Sequence, residues 1–391
     1  MQTDTFLLTD YDVKPNCSEL QTDAVQKVLD MCSRNGGTVV IPAGTYRVSS
    51  LYLHSRTTLK LLSGACLVGS DECSDYAVFP VPEGVSMHCD MEMIPEYYKN
   101  KPWDTYRRAM ITAYGEEDIS IIGEPGSVID GSNCYDPEGE ENYRGPHAIF
   151  LSGCRHVLLE GYTVRHSGNF LHEANTCEDL TMRHVLCVGG SDGIHLHCSK
   201  RCLIEDCVFQ TGDDCIAGIN VEDLTVRHCV LNTSCNLFRL GGVHVLIEDV
   251  FAYGPGIYPH RMTVVRGKND ELPRECGRHN TIFALTYFAS SQYPFKGSDI
   301  TFRHCIFQNF DAFLDYRAFE NDLQSGTCLK ELILDHVLLE NVRFASEPKG
   351  HPSCPTVIRF KHVFTAFADG DRARPLIRPG DFITQIEETE K

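Results

Sequence analysis

CLIEDCVFQTGDDCIAGINVEDLTVRHC (202–229) begins and ends with the same kind of hexad, CLIEDC and LTVRHC, whose first residues are 22 positions apart. Related hexads are VLLEGY (157–162), LTMRHV (180–185) and VLIEDV (245–250), so that successive copies begin 23, 22, 22 and 21 residues apart. ISIIGE (119–124) precedes the series, and ITFRHC (300–305) and LILDHV (332–337) continue it. Most copies place apolar residues at the first, third and sixth positions, close to the alternation of a strand with one buried face.

The length of this repeat decides the fold class. About 22 residues are too few for a strand–helix–strand unit in each repeat, but they suffice for about three short strands with turns between them. One such coil cannot bury its inner face, whereas stacked coils can, so we expect an all-β protein folded as a single-stranded parallel β-helix. A leucine-rich repeat would need an LxxLxLxxN pattern, which is missing, and a β-sandwich would need frequent hairpin turns, which are few.

Three segments depart from the repeat. SELQTDAVQKVLDMCSRNGG (18–37) has apolar residues at helical spacing and a Gly36–Gly37 stop, so we expect an N-terminal helix that caps the open end of the coil. Residues 84–106 and 254–298 interrupt the repeat, and we expect both insertions to line a binding groove. The rest is one array of repeats, so we expect a single domain over residues 1–391.

Composition narrows the class of function and the location. The 391 residues carry a net charge of −19, which argues against nucleic acid or an anionic membrane as partner. No apolar run approaches the roughly 20 residues of a membrane helix. The first residues lack the basic and apolar regions of a secretory signal, so we expect a cytoplasmic protein. The sequence leaves the oligomeric state open.

Nineteen cysteines raise the question of disulfides or a metal site. Several occupy the sixth position of a hexad, as Cys207, Cys229 and Cys305 do, where a small buried apolar side chain is required. The chain has no CxxC pair, and HLHC (195–198) is its nearest approach to a metal cluster. We therefore expect reduced structural thiols, no cofactor and no bound metal, rather than disulfides or a zinc site.

A column of polar residues accompanies the hexads. Twelve residues on from the start of four consecutive hexads lie Asn169, Asp192, Asp214 and Asn236, and Asp213 lies beside Asp214 in TGDDC. Equivalent residues of a parallel coil stack about 4.8 Å apart, so Asp192 and Asp214 should be neighbours. Crowded carboxylates raise one another's pKa, as a general acid paired with a general base requires. Turn aspartates that bind local backbone, or a Ca²⁺ site, are the alternatives.

SDGIHLHCSKRCLIEDCVFQTGDDCIAGI (191–219) resembles the paired NTDG and GDDC motifs of glycoside hydrolase family 28, the polygalacturonase-like enzymes. Residues 36–70 and 145–185 are similar to that family's first coils and to the coils before its active site, so the likeness spans most of the chain. The resemblance implies a right-handed parallel β-helix with Asp192, Asp213 and Asp214 as catalytic residues. It further implies inverting hydrolysis, in which Asp213 protonates the glycosidic oxygen while Asp192 and Asp214 activate a water molecule.

The chain departs from this family at residues that hold the sugar. Cys235 stands where the third motif, GHG, has its histidine, and Tyr258 and His260 stand where the fourth motif has arginine and lysine. His195 stands where the family tends to carry a further aspartate. Two cationic contacts are thereby lost, each worth about 1.5–3 kcal/mol. We therefore expect a neutral sugar, or an acidic sugar held in another way, as readily as galacturonate.

Further residues are candidates for substrate contact. His195 and His197 point to one side of their strand and could touch substrate, bind a metal with a carboxylate, or form a solvated face. Arg239 could clamp an anion or form a structural ion pair, and the rings of Trp103 and Tyr106 could stack on sugar or pack their loop onto the coil. The predicted substrate-binding residues are Asn169, His195, Asn236, Arg239, Tyr258, His260, Arg261, Trp103 and Tyr106.

These observations predict a glycoside hydrolase that cleaves an oligo- or polysaccharide by acid–base carboxylate chemistry and is inverting and exo-acting. A lyase, or a fructan- or glycosyltransferase, on the same scaffold is the first alternative, and a lyase would need a basic residue near a Ca²⁺ site. A carbohydrate-binding β-helix without catalysis is the second alternative. The three intact aspartates argue against it.

Overall fold

The computed structural model describes residues 4–87, 103–261, 277–289, 297–320, 324 and 328–388. In these residues the chain winds as a right-handed parallel β-helix, which confirms the predicted fold class. Strands of successive coils pair in parallel, as the hexad strands do. A complete coil contributes three strands, and these form three faces, called here the first, second and third face in the order in which a coil passes through them.

The hexads form the first face. Its strands are Asp4–Leu7, Gly37–Ile41, Thr57–Leu61, Glu117–Gly123, Arg155–Glu160, Glu178–Arg183, Lys200–Glu205, Ser298–Arg303, Leu329–Asp335, Thr356–Lys361 and Ile383–Glu388. The second face is a separate sheet of eleven strands. These are Gly44–Val48, Ala65–Gly69, Val128–Asp130, Thr163–Arg165, Leu186–Gly189, Val208–Thr211, Val230–Thr233, Phe251–Tyr253, Ile306–Gln308, Leu338–Val342 and Phe364–Phe367.

The third face carries the strands next to the polar column. They are Leu51–Tyr52, Ala109–Tyr114, His147–Ser152, His172–Asn175, Ile194–His197, Thr281–Tyr287 and Phe310–Asp315. Two longer strands, Ile216–Arg227 and Phe238–Glu248, extend from the third face of one coil into the first face of the next and bend at the residues with positive φ, Asn220, Asp223 and His244. The first and third faces are therefore joined in one sheet of 20 strands.

Each hexad consists of a strand and a corner. In CLIEDC, Cys202 and Ile204 point into the core and are buried, whereas Leu203 between them is half-buried. The fifth residue, Asp206, has a φ of 53°, in the left-handed region that aspartate, asparagine and histidine enter more readily than other side chains. The same conformation occurs at His184, His228 and Asp249. This corner directs the sixth residue, Cys207, back into the core, which explains why the apolar positions do not alternate strictly.

An N-terminal helix covers the first coils, as predicted. It spans Thr22–Ser33 and is shorter than the segment 18–37, because Gln21 exchanges two hydrogen bonds with Lys14 and stands outside it. One side of the helix is buried, and its members are Val25, Val28, Leu29 and Cys32. Full burial of one such aliphatic side chain stabilises the fold by about 1.5–3 kcal/mol. The helix therefore seals the end of the core.

The predicted insertions are only partly within the described residues. The segment 254–298 was expected to lie outside the repeat, but it contains the strand Thr281–Tyr287, which continues the third face. Residues 88–102, 262–276 and 290–296 lie outside the described part, so a groove-lining role for them stays a prediction. The short helical segments are Leu8–Tyr11, Cys73–Asp75, Trp103–Tyr106 and Glu140–Asn142. Among the described residues no helix has the length and apolar character needed to cross a membrane.

Two apolar clusters pack the coils. The larger fills the inside of the β-helix along its length. The smaller lies against the outer side of the third face and consists of Met87, Tyr106, Ala109, Tyr114, Phe150, Phe170, Ile219 and Phe288. The third face is therefore covered on both sides in this region, and its outward side chains are removed from water.

The cysteines follow the prediction in the coils and depart from it near the C-terminal end. Fifteen of them are free thiols in the described residues, and most are buried. Cys328 and Cys354 form a disulfide, which corrects the prediction of reduced thiols throughout. Their Cα atoms are 5.9 Å apart, within the distance that a disulfide spans. Neither occupies the sixth position of a hexad, so the repeat did not reveal them.

Candidate active site

Three residues of the predicted column are equivalent in the structure. Asp192, Asp214 and Asn236 each lie at the turn that leads from the second face into the third. The strands that follow pair with a constant offset of 22 residues, from Ile194 to Ile216 and from Ile216 to Phe238. This constant offset confirms that the three turns stack.

The three aspartates form one compact cluster. Carboxylate oxygens of Asp192, Asp213 and Asp214 lie within 4.8 Å of one another. The residues are 2%, 7% and 2% exposed, respectively. Three buried like charges at this separation cannot all be ionised without strong repulsion. The cluster therefore holds carboxyl groups in different protonation states, as acid–base catalysis requires.

Asp213 is the ionised member of the cluster. Its Oδ2 accepts a hydrogen bond of 2.8 Å from Nη2 of Arg144, and its Oδ1 lies 3.5 Å from Nε2 of His260. Burial acts to raise the pKa of Asp213, but His260 and Arg144 outweigh burial and hold the pKa well below its ordinary value. The arginine is itself only 6% exposed on its side chain. Asp213 is therefore held as a carboxylate in this structure.

The other two aspartates hold protons more tightly. Burial raises the pKa of Asp192 well above its ordinary value, and the charges of Asp213 and Asp214 add to this effect. Burial and the charge of Asp213 also raise the pKa of Asp214. In the resting cluster Asp213 thus has the lowest pKa of the three carboxyl groups, and its two neighbours bind protons more readily. The family resemblance implied a proton on Asp213, and His260 and Arg144 are the physical reason for the difference.

Arg144 is the functional residue that the sequence reasoning missed. It lies in DGSNCYDPEGEENYRGP (130–146), between a second-face strand and a third-face strand, and outside every hexad. Its Nε donates to Glu141 at 2.7 Å and its Nη1 donates to Asn169 at 3.1 Å, while Nη1 is also 4.0 Å from Asp192. The sequence did contain a signal for this residue. Arg144 is the single basic residue in the acidic connection 130–146, which precedes the column of polar residues.

Asn169 does not stack in the column as predicted. Thr163 pairs with Leu186, an offset of 23 residues, whereas Glu173 pairs with His195, an offset of 22. The turn between these strands is thus one residue longer in the earlier coil, so counting from the hexad misplaces the asparagine by one position. It remains beside the cluster because its Oδ1 accepts the hydrogen bond from Arg144.

Asn236 and Arg239 lie beside Asp214 from the next coil, and their role in binding substrate stays a prediction. Nδ2 of Asn236 donates to Oδ1 of Asp214 at 2.7 Å. Nη1 of Arg239 is 4.0 Å from Oδ2 of the same carboxylate. The Arg239 guanidinium also lies over the ring of Phe288, 3.9 Å from its centre, a cation–π contact that fixes its position. A second cation therefore stands at the cluster, opposite the side held by Arg144.

His260 and Arg261 take different parts. His260 faces Asp213, and its backbone N–H donates to the carbonyl of Arg278 at 2.8 Å. Arg261 instead braces the turns behind the cluster, because its Nη1 donates to Ser191 Oγ at 2.7 Å and to the Gly168 carbonyl at 3.3 Å. The structure thus places His260 at the aspartate cluster and Arg261 against the turns behind it, and substrate contact by either residue stays a prediction.

Tyr258 and Cys235 complete the positions at which the chain departs from the family motifs. The carbonyl of Tyr258 accepts a hydrogen bond from the Ser234 hydroxyl, next to Cys235. Burial, followed by the charges of Asp214 and Asp213, raises the pKa of the Cys235 thiol well above its ordinary value. Cys235 is therefore a neutral thiol beside the cluster, and it cannot supply the positive charge that a histidine could.

His195 is buried, so the predicted alternative of a solvated face is wrong. Its Nε2 is hydrogen-bonded to Oδ2 of Asp192, and its ring stacks on Phe170 with 3.8 Å between centroids. Both His195 and His197 are fully buried. The apolar cluster outside the third face, which includes Phe170, is the reason for this burial.

Tyr106, an aromatic candidate of the first insertion, does not form an open sugar platform. It is buried, and its ring packs edge-to-face against His147 and Phe150, with centroids 5.0 and 6.2 Å apart. The alternative that Tyr106 packs its loop onto the coil therefore holds, and its predicted role in stacking on sugar is corrected. Trp103 begins the short helix Trp103–Tyr106, and its side chain lies outside the described residues.

Comparison with known proteins supports the resemblance. The model of the family described as "Glycosyl hydrolases family 28" matches residues 82–236, which include both aspartate motifs. An exo-poly-alpha-D-galacturonosidase of Dickeya chrysanthemi is 24% identical over 246 residues, which are 54% of this chain and 41% of that protein. The chain matches between 39% and 54% of the lengths of this and two further curated relatives.

Two solved structures share the fold. A family 28 exopolygalacturonase of Yersinia enterocolitica superposes with a TM-score of 0.66 and 16% identity, covering 98% of this chain and 78% of that one. A hyperthermoactive exopolygalacturonase of Thermotoga maritima gives a TM-score of 0.67 and 15% identity, covering 94% of this chain and 88% of that one. At these identities the likeness establishes the fold, and function must be argued from the site.

Proposed function

We propose that this protein is a glycoside hydrolase that removes terminal sugar residues by acid–base chemistry at Asp192, Asp213 and Asp214. The observation that carries the proposal is the cluster of three buried carboxyl groups within 4.8 Å of one another, in which Arg144 is hydrogen-bonded to Asp213 alone. Hydrolysis of a glycosidic bond needs one carboxyl group to donate a proton and another to accept one from water. Buried carboxyl groups at contact distance meet both needs.

The proposed roles follow the family resemblance, with one added step. Asp213 protonates the glycosidic oxygen, while Asp192 and Asp214 activate the water molecule. An arginine-bound carboxylate is ionised and cannot donate a proton. Proton donation by Asp213 therefore requires that Arg144 first leave Oδ2, and we propose that the incoming substrate draws the guanidinium away. Once the guanidinium has left, a proton passes from one of the two neighbouring carboxyl groups to Asp213, which makes Asp213 the donor and leaves that neighbour ionised as the base. Arg144 would thus couple substrate binding to protonation of the donor.

The cations of the site favour an acidic sugar. The two basic residues of the family's fourth motif are missing, but Arg144 and Arg239 flank the carboxylate cluster from other positions in the chain. A guanidinium can bind a carboxylate through two parallel hydrogen bonds. The relatives named above are described as acting on galacturonan, and we propose a uronic-acid oligosaccharide of that kind as substrate. The net charge of −19 makes such local cations necessary.

Exo action also belongs to this proposal. The outer side of the third face is covered by the apolar cluster around Phe150 and Phe170, and we expect this layer to close one end of the substrate site beside the aspartates. A closed end accepts a chain terminus, whereas an open groove accepts the middle of a polymer. Both solved structures described above are named exopolygalacturonases, which supports the same mode.

The stereochemistry of the reaction is proposed as inversion on the resemblance alone. Carboxylate oxygens within 4.8 Å of one another are closer than the roughly 6.5–9.5 Å usual between the two carboxyl groups of inverting enzymes. Distance therefore gives no support to inversion here, and the anomeric form of the first product decides the matter.

The test is a digest of defined oligosaccharides, both uronic and neutral, with products followed by NMR from the first turnovers. We expect release of single uronic-acid residues in the inverted anomeric form. Asp213→Asn should abolish turnover, whereas Asp206→Asn, at an exposed corner of a neighbouring strand, should leave it unchanged. Unsaturated products would establish a lyase instead. Binding without turnover in the unmodified protein would establish the non-catalytic alternative.

A further inference from the structure

A second cluster of titratable side chains lies beside the aspartates on the third face. The strands His172–Asn175 and Ile194–His197 pair so that Glu173 faces His195 and Asn175 faces His197. Nδ1 of His197 is 2.8 Å from Oε1 of Glu173, and Nδ1 of His195 is 3.9 Å from Oε2 of the same carboxylate. One ligand atom from each of the three residues lies within 4.8 Å of the others.

This cluster is confined to two coils. In the coil before it, Phe150 occupies the position that pairs with Glu173. In the coil after it, Ala217 and Ile219 occupy the positions that pair with His195 and His197. The polar set therefore does not continue as a ladder along the face. It is a discrete group of three fully buried ionisable side chains between apolar neighbours.

The donor set is that of a transition-metal site. Two imidazoles and one carboxylate form a common set of protein ligands for zinc, with metal–ligand distances of about 2.0–2.2 Å. Ligand atoms on a tetrahedron of that size are about 3.3 Å apart, and the observed 2.8 and 3.9 Å fall on either side of this value. Asn175 Oδ1, at 2.9 Å from Nδ1 of His197, offers a further oxygen.

A further feature of metal sites is present at His195. Its Nδ1 faces Glu173, while its Nε2 is held by the carboxylate of Asp192. Histidines that bind metals commonly donate their second ring N–H to a carboxylate, which fixes the tautomer and the orientation of the ring. Asp192 would be the carboxylate that accepts this second N–H from His195. The stacked ring of Phe170 limits rotation of the imidazole.

From this geometry we propose that Glu173, His195 and His197 bind a divalent transition-metal ion, with Zn²⁺ as the expected occupant. Imidazole ligands suit zinc, copper, iron and nickel, and availability decides among them. The ion neutralises a buried carboxylate that would otherwise be costly to desolvate. It also anchors His195, and through it the position of Asp192 in the aspartate cluster. The proposal stands on these side chains and does not depend on the hydrolytic function.

The experiment uses the full chain, freed of metal with a chelator and then loaded with Zn²⁺ or Co²⁺. We expect one equivalent of bound metal per chain, measured by inductively coupled plasma mass spectrometry. The Co²⁺ form should show visible absorption without the near-ultraviolet band of cobalt–thiolate bonds, which matters because fifteen cysteines among the described residues are free thiols. No uptake by the unmodified chain, or a thiolate band in its spectrum, overturns the proposal.

Variants test the residues separately. His197→Ala and Glu173→Gln should each lose the bound equivalent, whereas His244→Ala, an exposed histidine 2.8 Å from Asp223, should keep it. Asp192→Asn should weaken metal affinity about 10–100-fold, and Asp213→Asn should leave it unchanged. Retention of the metal by both His197→Ala and Glu173→Gln contradicts the proposal. Should they fail to fold, a rise in the thermal midpoint of the unmodified chain with added Zn²⁺ supports it, and an unchanged midpoint rejects it.

Discussion

Nη2 of Arg144 donates a hydrogen bond of 2.8 Å to Oδ2 of Asp213, although 69 positions separate the two residues in the chain. Arg144 belongs to a connection between two strands, whereas Asp213 belongs to a turn of the repeat. The connection therefore reaches across two coils and sets the charge of the carboxylate that the family resemblance assigns as proton donor. This contact makes the connection part of the active site.

Arg144→Met tests this contact through the pH dependence of the reaction. Loss of the guanidinium removes a cause that lowers the pKa of Asp213, so the pKa rises. A donor must be protonated, so the alkaline limb of the kcat/KM profile should move to higher pH. The control is Arg201→Met, which removes an exposed arginine 2.7 Å from Asp179. Movement of the acid limb to higher pH would identify Asp213 as a base, and unchanged limbs would contradict its participation.

Asn236→Ala should weaken turnover without abolishing it. The change removes the 2.7 Å hydrogen bond that the side chain donates to Asp214. Hydrogen bonds to charged groups contribute about 1.5–3 kcal/mol, which corresponds to a decrease in kcat of about 10- to 100-fold. Steady-state kinetics on the best oligosaccharide measure the effect. A rise in KM at constant kcat would show that Asn236 binds substrate and leaves the carboxylate unaffected.

Ile204→Ala should destabilise the coil that carries the aspartate turn. Its side chain is fully buried in the core of the β-helix, and truncation of such a residue costs about 2–5 kcal/mol in the free energy of unfolding. Leu203→Ala, next to it on the half-buried side of the strand, should cost less. Urea unfolding followed by circular dichroism compares the two. Equal losses would mean that the inward direction of Ile204 is wrong.

Asp206→Val tests the corner of the hexad. A β-branched residue is strained at a φ of 53°, and backbone strain of this kind costs of order 1–3 kcal/mol. Asp206→Asn should be close to neutral, because asparagine enters the left-handed region readily. The difference between the two urea midpoints measures the strain. A valine variant as stable as the asparagine variant would exclude a strained corner.

The fold was predictable because its information is local and repeated. Alternation within CLIEDC (202–207) specifies a strand with one buried face, and recurrence after 22 residues specifies stacked coils. The stacking of Asp192 on Asp214 followed from the same constant offset. The predicted position of Asn169 was wrong because its turn contains one additional residue. That residue changes the distance from the hexad but leaves the hexad pattern itself unchanged. Counting along a repeat is thus reliable only where both flanking strands keep their offset.

The surroundings of the cluster were less predictable. Arg144 and the layer of Met87, Tyr106 and Phe170 reach the site from connections of irregular length, whose paths a repeat does not specify. That layer buries His195 and His197, which the sequence left open between a solvated face and a functional one. The Cys328–Cys354 disulfide joins residues outside the hexads for the same reason. The cytoplasmic location stays a prediction.

The two long strands that extend from the third face into the first determine how part of the active site is anchored. Ile216–Arg227 has 12 residues and Phe238–Glu248 has 11, and the site residues Asp214 and Asn236 each precede one of them by two positions. Each strand bends at residues with positive φ, Asn220 and Asp223 in the first and His244 in the second, and the two strands pair on both sides of the bend. Asp214 and Asn236 are therefore anchored to strands that are paired along two faces of the coil, whereas Arg144 is carried on an irregular connection between strands.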